Sequence, residues 1–354
     1  MKHRSLESKK VLVLFSGIFL SLMLFGLSSF PLNTKSDVFA ESIENTPTLM
    51  VPNTPTPSEP IFSNEAPMPI SDWGNPAYPV PMALTSKDHF YFDRPLSISS
   101  THKLNIDYRY GYYYPEEDVV HTGIDIAGSL GDPVLAAAAG KVIFAGYGLL
   151  NGANDSKDPY GLAVMIRHSF SYEDYTIYTV YAHLKQVTVE KGDWVNSGEE
   201  VGKIGMTGNT SGPHVHFEVR IENSEGDKVQ NPELWIAPLV GSGVLAGRVE
   251  TTFGALMTTK NLWLKSLETG KTWTLITYAP KTKQIDDHYQ ENFTLSDLPS
   301  GEYEISTYYN WKLYKQTFFI SPGAVNFIYF HGSDGFSMGL PEKAISTSFL
   351  NPVK

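Results

Sequence analysis

A chain of 354 residues with 42% hydrophobic side chains, 20 Tyr and 19 Phe is long enough for roughly two domains and rich in strand formers, which excludes a disordered polymer. It contains no cysteine, so disulfide frameworks, zinc-thiolate sites and cysteine nucleophiles are excluded, and any metal must be held by His, Asp or Glu. The formal net charge of −11 offers no basic footprint for nucleic acid.

Residues 1–40 read as an export signal. Lys2, Arg4, Lys9 and Lys10 form a positive start, Val11 to Leu27 is an uncharged apolar run, and Val38-Phe39-Ala40 supplies a cleavage site. Cleavage after Ala40 is expected; the alternative is an uncleaved anchor, because the run sits at the lower limit for spanning a bilayer. Either way the folded part is extracytoplasmic, and a membrane is engaged only through this segment if it stays attached. Without cysteine there is no lipid attachment through an N-terminal Cys. Residues 41–83 form a Pro/Thr/Ser-rich linker, with Asn53-Thr54-Pro55-Thr56-Pro57 and Pro79-Val80-Pro81, whose composition favours an extended tether. Near Trp73 and Tyr78 the alternative is an arm lying on the next domain, since those rings seek cover.

The pattern predicts an all-β protein. Over 84–240, short runs such as Lys141-Val142-Ile143-Phe144-Ala145, Ala163-Val164-Met165-Ile166-Arg167 and Thr176-Ile177-Tyr178-Thr179-Val180-Tyr181 alternate with Gly, Asp, Asn and Pro, as in packed antiparallel sheets. Leu149 to Pro159 reads as a polar loop able to edge a cleft. A second β-unit is expected over 244–332, from runs such as Leu262-Trp263-Leu264 and Val325-Asn326-Phe327-Ile328-Tyr329-Phe330. Its strand count and the phrase Leu298-Pro299-Ser300-Gly301-Glu302-Tyr303 resemble a transthyretin-like, carboxypeptidase-regulatory β-sandwich. Trp311 and Tyr314 suggest substrate or surface binding for this unit, with a structural cap as the alternative. Residues 333–354 read as a loose tail.

The chemistry gathers on histidines. His214 and His216 are two apart on a strand-like run and therefore share a face, roughly 6–7 Å apart along it. His121 and Asp125 flank Gly123; a straight strand would separate them by about 13 Å, so only a hinge at Gly123 brings them together. His183 ends the run Tyr181-Ala182-His183-Leu184. Three nitrogen or oxygen donors make an open zinc site and four close it. His168 fits a strand end rather than a ligand, Glu218 reads as a solvated strand carboxylate with support of a ligand as the alternative, and Tyr108, Tyr110, Tyr112, Tyr113 and Tyr114 either wall a groove or pack in a sheet.

The order His-x-Gly-Ile-Asp at 121–125, Tyr-Ala-His-Leu at 181–184 and Gly-Pro-His-x-His-Phe-Glu-Val-Arg at 212–220 resembles the lysostaphin-type (LytM-like) zinc metalloendopeptidases that cut peptidoglycan peptides. Thr210-Ser211 stands where Ser-Thr is commoner, and both orders keep two hydroxyls. The resemblance implies a peptidase domain of the duplicated hybrid motif, barrel-sandwich type. It also implies Zn2+ held by His121, Asp125 and His216, with His183 and His214 as catalytic histidines and peptidoglycan peptides as partner. Its alternatives are a catalytically inactive wall-binding or amidase-regulating relative and a carrier-like barrel-sandwich domain. A carrier needs a modifiable lysine at a hairpin tip, which Gly205-Met206-Thr207-Gly208-Asn209-Thr210 lacks, and an inactive relative is expected to lack one of the five side chains.

Overall fold

A computed structural model describes residues 77–339 apart from 86, 98–107, 116–117, 153, 225, 281 and 283–284. The expected export segment, residues 41–76 of the linker and residues 340–354 of the tail lie outside the described residues.

The described residues form an all-β structure whose only helical elements are two short 3-10 turns, Pro232–Leu234 and Gly332–Asp334. A ribbon of β1 (Tyr113–Tyr114) and β2 (Val119–Val120) precedes the largest sheet. That sheet is built from β3 (Ile124–Ala127), β4 (Pro133–Leu135), β5 (Gly140–Gly146), β6 (Leu162–Tyr172), β7 (Tyr175–Val187), β8 (Trp194–Val195), β9 (Glu200–Ile204), β10 (His214–Asn223) and β11 (Gly226–Gln230). All its pairings are antiparallel. β10 is the key strand, with β3 and β7 beside it. Its Val215, Phe217 and Val219 are fully buried on one face, so the period-2 alternation sends His214, His216, Glu218 and Arg220 to the other.

The remaining strands are β12 (Ser242–Glu250), β13 (Asn261–Ser266), β14 (Thr272–Ile276), β15 (Phe293–Pro299), β16 (Gly301–Tyr309), β17 (Lys312–Ile320), β18 (Val325–His331) and β19 (Gly335–Met338). They form two four-stranded sheets, ordered β15-β12-β18-β19 and β14-β13-β16-β17. A cluster including Leu245, Leu264, Phe293, Ile305 and Phe330 lies between them. β12 and β18 pair in parallel, because the long excursion through β13–β17 returns the chain to the β12 edge in the same direction. The start of the expected tail is also ordered. β19 pairs with β18, and Phe336 packs on Phe330 with ring centroids 4.8 Å apart. At the other end, Ala77 bridges Leu239 and the Tyr78 hydroxyl accepts from the Gly241 amide, so the end of the Pro-rich stretch lies against the fold.

The core does not stop between residues 240 and 244. Val244, Ala246, Tyr289 and Phe327 belong to the same buried cluster as Phe90, Tyr181, Phe217 and Trp235. A polar junction crosses the same region: Glu233, fully buried, accepts from the Arg109 guanidinium, the Ser296 amide (2.6 Å) and the Thr294 hydroxyl (3.3 Å). Removing one partner of a buried pair strands the other charge in low dielectric. Glu233→Ala is therefore expected to cost about 3–5 kcal/mol of unfolding free energy, read from chemical denaturation, against less than about 0.5 kcal/mol for an exposed Glu302→Ala control.

Candidate metal and catalytic site

β10 enters through Gly212-Pro213 and pairs so that His216 stands opposite Asp125 on β3 and Ala182 on β7. This register puts His214, His216 and Asp125 at one place and brings the end of β7, with His183, beside them. His121 arrives from the turn before β3. A Cβ at Gly123 would lie 2.3 Å from the Phe217 carbonyl oxygen and 2.9 Å from the His216 ring, so only glycine lets this turn fold His121 onto His216.

Three donor atoms converge. His121 Nε2 is 2.9 Å from His216 Nδ1 and 3.1 Å from Asp125 Oδ1, and His216 Nδ1 is 3.0 Å from that same oxygen. These are the described residues able to hold a metal ion as a group. Zinc bonds of about 2.0–2.1 Å set tetrahedral donor–donor edges of about 3.3–3.4 Å, so the triad fits zinc with a small expansion. His214 adds an observation of the same kind: its buried Nε2 has no hydrogen-bond partner and lies 3.3 Å from Asp125 Oδ2.

Each imidazole has its tautomer set by a neighbour, because a carbonyl oxygen can only accept. His121 Nδ1–H donates to the Arg109 carbonyl (3.1 Å), leaving Nε2 bare. His183 Nδ1–H donates to Thr207 O (2.9 Å) and His214 Nδ1–H to Gly212 O (2.8 Å), leaving both Nε2 lone pairs free. His216 is turned the other way: Nε2–H donates to Glu218 Oε1 (3.0 Å) and Nδ1 joins the triad.

The electrostatics follow from these contacts. Burial opposes ionisation of Asp125, but the closely placed His121 and His216 rings outweigh it and hold the carboxyl well below the usual carboxylate range. Burial, with the neighbouring His216 and His214, pushes His183 down to about 3, and burial also lowers His214 despite the nearby Asp125. His216 is pushed up to about 9, burial being overridden by Asp125 and Glu218; with Nε2–H held by Glu218, the proton that gives way to a metal ion is the one on Nδ1.

Glu218 is not the solvated carboxylate expected from the sequence. It is fully buried, and besides His216 it accepts from Thr122, from the Tyr160 hydroxyl (2.7 Å) and from Arg220 Nε (2.7 Å). Burial raises its cost of ionisation, but His216 and Arg220 hold it ionised, with its carboxyl down at about 2. The signal was present: His216, Glu218 and Arg220 are spaced by two on one strand face, an imidazole, an acid and a base in a row. Thr207 and Tyr160 had no such signal, because they reach the site from loops distant in sequence.

His183 lies in the left-handed region at φ 60. A side chain there costs about 1–3 kcal/mol and persists only where its surroundings fix it. Here the His183 amide donates to Tyr160 O (2.9 Å), its ring to Thr207 O, and bare Gly205 packs on its carbonyl; a Cβ at Gly205 would sit 2.6 Å from that oxygen. The four rings cluster, His183 and His214 having centroids 4.9 Å apart.

A cleft of about 720 Å³ opens over these groups. Tyr108 and Tyr114 line one part of it, Leu150 and Pro159 belong to the loop expected to edge it, and Tyr160, next to that loop, lines it too with Thr210 and Ser211. The tyrosine cluster divides its labour, since Tyr110 is instead buried with its hydroxyl on Val229 O (3.1 Å). His168 sits within β6, not at its end. Its ring contacts Ala139 O and the Thr179 hydroxyl, away from the cleft, and burial lowers it to about 4. His89, His288 and His331 pair with Asp286, Glu173 and Asp334. His3 and His102 lie outside the described residues.

The stretch that carries this geometry is similar in sequence to known proteins. Over 119 residues, 32% of this chain and 24% of the other protein, the chain is 40% identical to the DD-carboxypeptidase/endopeptidase Mpg of Neisseria meningitidis serogroup B. Over 113 residues, 32% of this chain and 23% of the other, it is 35% identical to the peptidoglycan DD-endopeptidase ShyB of Vibrio cholerae. It thus spans about a quarter of the length of these curated relatives. The crystallised catalytic domain of the antimicrobial peptidase lysostaphin from Staphylococcus simulans is 27% identical, over 37% of this chain and 89% of that one, with a TM-score of 0.30. Peptidase family M23 matches over residues 119–231, the stretch that holds all five clustered side chains, and the chain carries a domain of that family.

Proposed function

We propose that the protein is an exported zinc-dependent metalloendopeptidase that hydrolyses peptide bonds of cell-wall peptidoglycan. The observation that carries this reading is the arrangement of tautomers: His121 Nε2, Asp125 Oδ1 and His216 Nδ1 converge within 3.1 Å of one another, while the bare Nε2 atoms of His183 and His214 remain beside them. The activities for which the relatives are named, peptidoglycan endopeptidase among them, support the substrate class. The N-terminal pattern of basic residues and apolar run supports export.

His121, Asp125 and His216 would hold the zinc, which would supply a Lewis acid for the peptide carbonyl and lower the pKa of a water toward about 7. The protein's own groups do the rest. His214, neutral at ordinary pH and with Nε2 unpartnered, takes the proton of the attacking water. His183 offers a second bare Nε2 in the same small volume. The proton taken up by His214 passes to it, making an imidazolium that faces the developing oxyanion, and His183 then gives that proton to the leaving amine and returns to neutral. The aromatic and apolar walls of the cleft keep the extended peptide over these groups.

Wild-type protein is expected to retain about one zinc per chain and to release peptide fragments from purified peptidoglycan, with the activity lost to a chelator and restored by zinc. His216→Ala should bind no zinc, whereas His214→Ala should keep the metal and lose about 10²–10⁴-fold in turnover; metal analysis alongside fragment mass spectrometry separates the two. A zinc-free wild type, or a His216→Ala protein as active as its parent, rejects the reading. Glu218→Gln should weaken zinc binding or activity by about 10–100-fold, measured by competition with a chromophoric chelator. Gly205→Ala forces the backbone off His183 and should lose on the order of 100-fold in turnover with zinc content unchanged.

A further inference from the structure

Among the described residues the C-terminal two-sheet unit reaches the metal site through a short strap, residues 108–115, and both strap and unit lie outside the stretch that matches the peptidase family. On its inner side the strap is bonded to two of the three donors' own backbones and to one ring. The Gly111 amide donates to His121 O (2.9 Å) and the His121 amide to Tyr112 O (2.8 Å). The Asp125 amide donates to Tyr108 O (3.2 Å), and the Arg109 carbonyl is the acceptor that fixes the His121 tautomer (3.1 Å). Tyr108 and Tyr114 of the same strap form a wall of the cleft.

On its outer side the strap is gripped by the second unit. The Ala279 amide donates to Gly111 O (2.8 Å), and Tyr278 meets Tyr110 edge-to-face with centroids 5.4 Å apart. Gly111 is left-handed at φ +77, and a Cβ there would lie 2.5 Å from Tyr278 Cδ1, so the ring sits directly on the glycine. Tyr278 itself is locked: its hydroxyl donates to Glu291 Oε1 (3.0 Å) and accepts from Asn231 Nδ2 (2.7 Å). The Arg109 side chain is anchored by Glu233, which is held in turn by the Ser296 amide and Thr294 hydroxyl of β15.

We propose that the C-terminal unit is an intramolecular clamp for the catalytic centre: Tyr278 and Ala279 press and bond the strap 108–115, and the strap orients His121 and one wall of the cleft. Tyr278 is a positioning residue, acting on the zinc site only through the strap. The inference rests on His121, Asp125 and His216 being that zinc site. Loosening the strap frees the acceptor of the His121 N–H, the kind of outer contact whose loss costs about 10–100-fold in metal affinity.

The test uses the full chain with Gly111→Ala, which drives a methyl into the Tyr278 ring, and Tyr278→Ala, which removes the ring. Hydrogen exchange at the Gly111 and His121 amides, zinc affinity by chelator competition, and kcat and KM on a peptidoglycan peptide are measured for each. Both variants are expected to exchange faster at those two amides, to bind zinc about 10–100-fold more weakly, and, once saturated with zinc, to show a raised KM from the displaced tyrosine wall. Tyr278→Phe, which keeps the ring on Gly111, should recover zinc affinity to within about threefold of wild type. Unchanged strap exchange in Gly111→Ala, or faster exchange with wild-type zinc affinity and KM, overturns the clamp. If Tyr278→Ala does not fold, Gly111→Ala carries the decision. His121→Ala tests the underlying reading separately: a variant that still binds zinc as wild type does rejects the assignment of the site, whatever the strap variants show.

Discussion

Four buried or half-buried imidazoles have to be presented with a chosen nitrogen bare, and the structure satisfies that demand by giving the other nitrogen of each ring a fixed acceptor. Three of the acceptors are backbone carbonyls, of Arg109, Thr207 and Gly212, and the fourth is the Glu218 carboxylate. A carbonyl cannot be protonated away or rotated independently of its chain, so the tautomer of each ring becomes a property of the fold. This explains why segments with no reactive groups are built so closely around the site. The 205–208 loop exists there to carry Thr207 O, and the strap at 108–115 to carry Arg109 O.

Holding rings this way has costs that recur as glycines and buried charge. Gly123, Gly205 and Gly111 each stand where a Cβ would strike a neighbouring carbonyl, amide or ring. His183 occupies left-handed backbone, and Glu218 is ionised with no exposure at all. Such features persist only inside a rigid surround. The long antiparallel run through β10, β7 and β6 provides part of it, and the apolar cluster shared with β12 and β18 provides more. The C-terminal sheets are therefore continuous with the core under the site, and cutting the chain near residue 241 would expose Val244, Ala246 and Phe327 together with the side chains they cover.

Much of this was legible beforehand where the information is local. Strand runs such as Ala163 to Arg167 and Thr176 to Tyr181 lie inside β6 and β7, because alternating β-branched and aromatic residues pack on a pleated surface wherever they fall. The glycine between His121 and Asp125 also announced itself, since only a sharp turn could bring that pair onto one ion. Glu218 was misjudged: charge alone suggests solvent, and its burial depends on Thr122, Tyr160 and Arg220 arriving together. The ordered start of the expected tail escaped notice for a similar reason, because β19 is stabilised by a free sheet edge and by Phe330, neither of which is visible in residues 335–338.

The sequence by itself determined the all-β class and the absence of thiol chemistry, matters of composition and period that survive without three-dimensional context, while the five side chains of an open zinc site were implied by the resemblance of their motifs, in order, to the lysostaphin-type endopeptidases. Only the tertiary structure decided which ring nitrogen of each histidine is bare, that His216 alone presents Nδ1, and that the second β-unit reaches the site through Tyr278 and the strap. A tautomer is set by the acceptor a ring meets, and those acceptors lie from 2 to 24 residues away in the chain or across a sheet boundary, where no local pattern can encode them.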